Sequence, residues 1–265
     1  MKELRQKIKR KLRAMKRRMQ ALTKAPSIMP PRRTFAFTCV KKPEYVRMAI
    51  DNINSLLYLN DSYSFIIYAD TICSAEFERL KSRLDYKDRV ICNNVFGETR
   101  EPWQKYKVET IIDASRKGYT FTDADGIWHD EPIIDSSKIT ILVLARAISD
   151  DPVEKKVAET LFATEGAVNF NHYVSGFLSI PPAMMTGGLA DDMRRFTGIL
   201  LYDPLSFLKE ERDRRNIHRV AEELGVNIAL QKHHKAIETL KKDDGPKSRS
   251  SLQSLYYGCN NDIIT

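Results

Sequence analysis

The chain lacks any apolar run of the roughly 18 residues that a bilayer-spanning helix needs, and its first residues hold no apolar signal core. Those absences predict a cytoplasmic protein, or one held peripherally at a membrane. Cysteine is scarce: Cys39, Cys73, Cys92 and Cys259 are widely spaced, with no Cys-x-x-Cys pair, which excludes a dense disulfide framework and predicts reduced thiols. Cys39 and Cys92 fall in strand-like runs and are expected in the core. Glycine is missing between Thr38 and Glu44, so the turn after the first strand-like run is no Gly-rich phosphate loop. Basic excess is also missing from most of the chain. Of its 43 Lys and Arg, eleven lie in residues 1–25 beside one acid, Glu3, leaving 32 bases and 34 acids for the rest, so the net charge of +8 belongs to an appendage.

In that appendage Leu4, Ile8, Leu12, Met15, Met19 and Leu22 recur at three- and four-residue steps, the pattern of an amphipathic helix with a cationic polar face. Such a helix suits an anionic membrane surface first, a helical partner second, and nucleic acid only third. A Pro-rich joint, residues 26–33, separates it from the remainder, whose length suits a single catalytic core.

From Thr34 the chain alternates in an α/β manner. Strands are expected at 34–40, 64–68 and 89–92, and helices at 44–59, 74–84 and 103–116. A further strand-like run, Tyr119–Thr122, leads into Asp123-Ala124-Asp125-Gly126. In an extended chain, carboxylates one residue apart project toward one side, where both reach the same divalent cation. A hard cation held by two carboxylates keeps open positions that suit a diphosphate. Taken alone, Asp-x-Asp is more often a solvated turn; here it closes a strand and precedes Gly126, Ile127 and Trp128. Trp103 and Trp128 suit the core, and Trp128 suits equally the floor beneath a sugar.

This arrangement resembles the nucleotide-sugar-binding half of GT-A glycosyltransferases. The resemblance implies a mainly parallel, Rossmann-like mixed sheet flanked by helices, with residues 34–130 binding the donor and residues 131–240 supplying the acceptor and catalytic half. It implies that Thr38 and Asp70 meet the base and ribose, that Lys105 or Lys107 meets the phosphates, and that Asp123 and Asp125 hold Mn2+ or Mg2+ on the diphosphate. Asp70 favours a UDP-sugar.

The segment Met185 to Asp203, then Phe207 to Leu230, then Lys232-His233-His234, resembles inverting enzymes of the galactosyltransferase and family-2 type. There a Gly-Gly turn leads to an aromatic-Asp element, an acidic cluster, and a helix that closes at Gly before a strand and a His. The match gives Gly187 and Gly188 in the donor site, Tyr202 and Asp203, Glu211 then Glu210 as general base beside Asp213, Gly225, and His233 or His234 completing the metal site. Phe207, Lys209 and Arg212 depart from the Gly, Trp and Asp that often surround the acidic cluster in that family. Read locally, the same LKEERDRR run is a solvated helix face with i, i+4 charge pairs. His218 is expected to face solvent, and His129 and His172 have no assigned role.

Val174–Ile180, around Gly176, resembles the acceptor-side strand of the same fold. Residues 241–265 read as a tail or lid over the donor, anchored by Tyr256 and Tyr257. The expected activity is sugar transfer from a nucleotide-diphosphate donor to a hydroxyl of a glycan, lipid-linked or protein acceptor, metal-dependent and inverting. Two other classes compete. A haloacid-dehalogenase-type phosphohydrolase also uses Asp-x-Asp-Gly, though it usually opens with that motif near its N-terminus; a non-catalytic membrane-associated scaffold would need no Asp pair. A sugar nucleotidyltransferase is disfavoured by the missing Gly-rich loop.

Overall fold

The structure, a computed structural model, describes residues 33–132, 134–142, 152–164, 174–203, 208, 210–234, 238–240 and 247–248. The expected helix in residues 1–25, the joint up to residue 32, and His172, Phe207, Lys209, Tyr256, Tyr257 and Cys259 lie outside the described residues.

Strand β1 (Thr34–Cys39) alternates large and small residues, and both of its faces are covered. Phe35 and Phe37 enter one layer with Val46, Ala49, Ile50, Ile53 and Leu56 of helix α1 (Glu44–Leu59). Ala36 enters the opposite layer, with Ile66 and Tyr68 of β2 (Ser64–Ala69) and Ala114 of α3 (Trp103–Arg116). Helix α2 (Thr71–Lys81) starts three residues before the expected Ser74, because Asp70 at the end of β2 caps it by accepting from Cys73 N.

The remaining elements are β3 (Val90–Asn94), β4 (Thr120–Thr122), β5 (Gly126–Ile127), β6 (Thr140–Leu142), α4 (Pro152–Thr164), β7 (Val174–Ser179), α5 (Gly187–Tyr202), α6 (Glu211–Arg219), α7 (Ala221–His233), β8 (Glu238–Leu240) and β9 (Lys247–Ser248). The main sheet has the order β3-β2-β1-β4-β7-β6-β8. Strands β3, β2, β1 and β4 run parallel, whereas β7 runs antiparallel to both β4 and β6. This is the mixed, mainly parallel α/β architecture expected from the sequence. A separate antiparallel pair joins β5 to β9, so the tail returns to Gly126, next to the Asp pair.

Two expectations in the second half are corrected. The run Val226–Leu230 is not a strand but the middle of α7, and all of residues 221–230 are buried. A helix without a wet face shows no 3.6-residue period, so its β-branched residues mimic a strand. Nor does Gly187-Gly188 open a turn toward a separate Tyr202-Asp203 element: Thr186 caps a continuous helix that ends at Tyr202. Helices α5 and α7 cross at Gly225, where an added Cβ would lie 2.6 Å from Thr197 N and 2.9 Å from its Cα. Glycine is there for close approach, not as a helix stop.

Candidate active site

Asp123 follows β4, and its main chain is held from two sides. Its N–H donates to the Gly176 carbonyl on β7 at 2.8 Å, and its carbonyl accepts from Asn52 Nδ2 on α1, also at 2.8 Å. Ala124 is buried in the α1 layer, so the chain turns about it rather than staying extended. Asp123 and Asp125 nevertheless open into the same cavity, which encloses about 190 Å³ and is also lined by Thr38, Val40, Tyr45, Trp103, Lys107 and Ala124. The site lies at the carboxyl ends of the parallel strands, the usual ligand position in an open α/β sheet.

Lys107 forms the charged wall of this cavity. Its side chain is 6% exposed, and Nζ lies 2.8 Å and 3.1 Å from the two Asp123 carboxylate oxygens and 3.2 Å from Glu222 Oε1. Burial alone would lower its pKa; the Asp123 and Glu222 carboxylates outweigh that and hold the ammonium well above the usual lysine value. Burial raises the Glu222 carboxyl, with Lys107 opposing the shift and Glu223 and Asp123 adding to it. Asp125 is also raised, first by burial and then by the Asp123 charge. Carboxylates therefore outnumber cations around the cavity. The Thr38 hydroxyl, buried and without a partner, is a further polar atom of its lining.

Asp123 and Asp125 fit a hard divalent cation by ligand chemistry, both being carboxylates. Among the described residues no cluster of three His, Cys, Asp or Glu side chains forms a metal cage. Mn2+ or Mg2+ held by this pair would keep most of its coordination positions for the oxygens of a diphosphate.

The other residues singled out in the sequence fall elsewhere. Asp70 sits at the end of β2, but its carboxylate is committed to Cys73 N at 2.8 Å, Lys41 N at 2.5 Å and Thr99 Oγ1 at 3.1 Å. It pins loops, and the preference for uridine loses its residue. Lys41, held by that bond, has φ +70°, a strained conformation for a side-chain-bearing residue. Lys105 lies against Glu101 at 3.5 Å and over the Tyr202 ring, outside the cavity lining, so of the two lysines the cavity takes Lys107.

His233, His234, Gly187 and Gly188 belong to the opposite end of the sheet. In the antiparallel register Thr122 faces Phe177 and Thr120 faces Ser179, so the chain beyond Ser179 runs away from Asp123. Pro182 packs on Gly118, before β4, and α5 starts nearby. His233 reaches Asp192 of α5 at 2.8 Å and sits beside Gly188, while His234 bonds the Met184 carbonyl. Along α7, Glu222 and His233 are about 16 Å apart at ~1.5 Å per residue. Neither imidazole of this pair comes near Asp123, and neither glycine lines the cavity. The acidic cluster is corrected as well. Glu211 is exposed and pairs with Arg215 at 3.7 Å, Glu210 precedes α6 as an exposed N-cap residue, and neither lines the cavity. The inverting course was expected to run on that base.

Trp128 is core, stacked edge-on against Phe177 at 5.1 Å, whereas the partly exposed Trp103 lines the cavity. His218 is exposed, as expected. The acid that the fold does bring to Lys107, Glu222, was not singled out, because Ala-Glu-Glu-Leu reads as an ordinary helix start. Asn52 had a usable signal: it interrupts the apolar stripe Val46, Ala49, Ile53, Leu56 on the buried face of α1.

No family model and no curated sequence matches the chain. Solved structures do. The bifunctional glycosyltransferase WbbM, in its apo form, superposes with a TM-score of 0.50 at 12% identity over 82% of this chain and 40% of its own. The glycosyltransferase GlyE of Streptococcus pneumoniae TIGR4 gives 0.45 at 13% identity over 80% and 45%. The mannosyltransferase PcManGT of Pyrobaculum calidifontis, in complex with GDP-Man and Mn2+, gives 0.36 at 14% identity over 84% and 81%. The chain spans less than half the length of WbbM and of GlyE. At these identities the likeness is one of fold, and the fold is GT-A-like, that of glycosyltransferases.

Proposed function

We propose that this chain is a metal-dependent glycosyltransferase that transfers a sugar from a nucleotide-diphosphate donor to a hydroxyl of a glycan, lipid-linked or protein acceptor. Asp123 and Asp125 opening into one cavity at the carboxyl end of a central strand, beside the buried ammonium of Lys107, is the observation that carries this function. A phosphohydrolase of the Asp-x-Asp-Gly type would carry its motif on the first strand, and here the pair follows the fourth.

Asp123 and Asp125 would hold Mn2+ or Mg2+, which when bound offsets the charge that develops on the departing diphosphate. Lys107 keeps its proton in the buried wall, because two carboxylates face it, and presents a fixed positive charge to the same phosphates. Asn52 and Gly176 fix the main chain of Asp123, so its carboxylate does not need ordering when the donor arrives. The Thr38 hydroxyl and the Trp103 ring supply a hydrogen bond and an apolar face for the nucleoside or sugar. The pairing of β9 with β5, next to Asp125, supports an ordering role for the tail over the donor.

Residues 1–25, with eleven cationic side chains, suit an anionic membrane surface, and next to that a helical partner. Arg33 lies just before β1, at the end of that strand away from Thr38 and the cavity. Deleting residues 1–25 should abolish binding to anionic liposomes and spare activity on a soluble acceptor; undiminished binding would refute that attachment.

Calorimetry with UDP-, GDP-, dTDP- and CDP-sugars, with and without Mn2+, tests the donor site. One nucleotide class should bind only with Mn2+, and Asp125→Ala should abolish that binding. Absence of binding across the panel would overturn the function.

A further inference from the structure

The Lys107 ammonium lies between a cavity-facing carboxylate, Asp123, and a fully enclosed one, Glu222. Glu222 is 3% exposed, and its second oxygen, Oε2, is buried without any partner. A buried carboxylate kept only for stability has its lone pairs satisfied, and apolar replacements of buried ion pairs are often neutral or stabilising. An acid retained at this cost, behind a cation that already has one carboxylate, points to an electrostatic task. If Lys107 faced Asp123 alone, the two would form a closed pair, and the cavity would present one negative side chain, Asp125.

We infer that Glu222 is a positioning residue that shares the ammonium of Lys107 and so keeps Asp123 available to a divalent cation. This rests on the metal-dependent reading of the Asp123 and Asp125 pair. Helix α7 holds Glu222 in place through the Gly225 crossing on α5, so its carboxylate cannot follow Lys107 if the ammonium is drawn toward the cavity. The lysine charge is thereby divided between a fixed acid behind it and a ligating acid in front.

The test is Mn2+ binding to the full chain without donor, by calorimetry or by the relaxation of water protons, with circular dichroism and a thermal melt for each variant. Wild type binds Mn2+. Glu222→Gln, which keeps shape and loses charge, weakens that binding about tenfold or more, the scale of outer-shell losses at metal sites. Adding Lys107→Met to Glu222→Gln removes the cation that closes on Asp123, and Mn2+ affinity returns to the wild-type value or above, a rescue that a merely structural glutamate would not give. Should Glu222→Gln not fold, Glu222→Asp, which withdraws the charge by one methylene, replaces it, with a smaller loss and the same rescue. Unchanged affinity in a folded Glu222 variant, or a double variant as weak as the single one, overturns the role of Glu222 and leaves the metal site standing. No Mn2+ binding by wild type overturns both.

Discussion

Two carboxylates, Asp123 at one end of the sheet and Asp192 at the other, face cations in different ways. Asp192 on α5 meets Arg195 at 2.9 Å, Lys232 at 3.1 Å and His233 at 2.8 Å. Burial works against its ionised form, but these three hydrogen bonds outweigh it and hold the carboxyl at about 2. Asp123 shares one lysine with Glu222, while Asp125 beside it is raised by burial and by the Asp123 charge. A carboxylate whose oxygens are taken by Arg195, Lys232 and His233 has nothing left for a ligand; the proposed metal site lies where acids outnumber bases. Sequence patterns of Asp and His do not separate these cases, because the partners come from other elements.

The sharpest way to break the comparison is to truncate each carboxylate. Asp125→Ala should weaken Mn2+-dependent donor binding more than about 100-fold, by removing one of the two proposed ligands, and should change stability by only about 0.5 kcal/mol, since a carboxylate opposed by desolvation and by the Asp123 charge contributes little to the folded state. Asp192→Ala should do the reverse, costing about 1 kcal/mol of stability and leaving donor affinity unchanged. Calorimetry and thermal melts read both, and a donor-binding defect in Asp192→Ala would erase the distinction between the two ends.

Helices α5 and α7 connect those ends, and Gly225 sets their separation. A Cβ there, 2.6 Å from Thr197 N, forces the helices apart, so Gly225→Ala should cost about 1–3 kcal/mol. With roughly 2–4 °C lost per kcal/mol in a chain of this size, a thermal melt resolves it. Because α7 carries Glu222 to Lys107, the variant should also weaken Mn2+ binding, which a packing defect remote from the cavity would not.

The first half of the fold was legible because each element carried its own signal. The expected limits of α1 and α3 coincide with those of the structure, since both have one wet face and a 3.6-residue period. The Asp-x-Asp turn was legible because its carboxylates are neighbours in sequence. Helix α7 was not, because burial on all sides removes the period. The assignments of His233, His234, Gly187, Gly188, Glu210 and Glu211 rested on order along the chain, and order does not say that β7 reverses direction. Once β7 runs antiparallel, residues 182–188 lie at the far end, and α7 returns its first turn, Glu222, to the cavity.

A smaller effect is expected where the clamp on Asp123 is loosened. Asn52→Ala removes the hydrogen bond to the Asp123 carbonyl and leaves that oxygen without its side-chain donor, at a cost of about 1–2 kcal/mol. Part of this should appear as a roughly five-fold weaker donor affinity, measured by calorimetry. Asn52→Asp, which offers no N–H to the carbonyl, should be no better. Donor affinity equal to wild type in both variants would reduce Asn52 to a packing residue.

The opposite end should announce itself in acid. Asp192 is held at about 2 against an ordinary 3.8, so its ionised form stabilises the folded state at every pH above the ordinary value. As pH falls from about 4 toward 2, that contribution is progressively lost, because the folded state then takes up the proton that the unfolded state already binds. Asp192→Asn removes the titrating group, so its stability relative to wild type should be lowest near neutrality and should converge with wild type as pH approaches 2. Urea melts at pH 6, 4 and 2.5 read this difference. A gap between wild type and variant that stays constant across that range would mean that the partners of Asp192 do not favour its ionised form, and the contrast between the two ends would then rest on Asp123 and Asp125 alone.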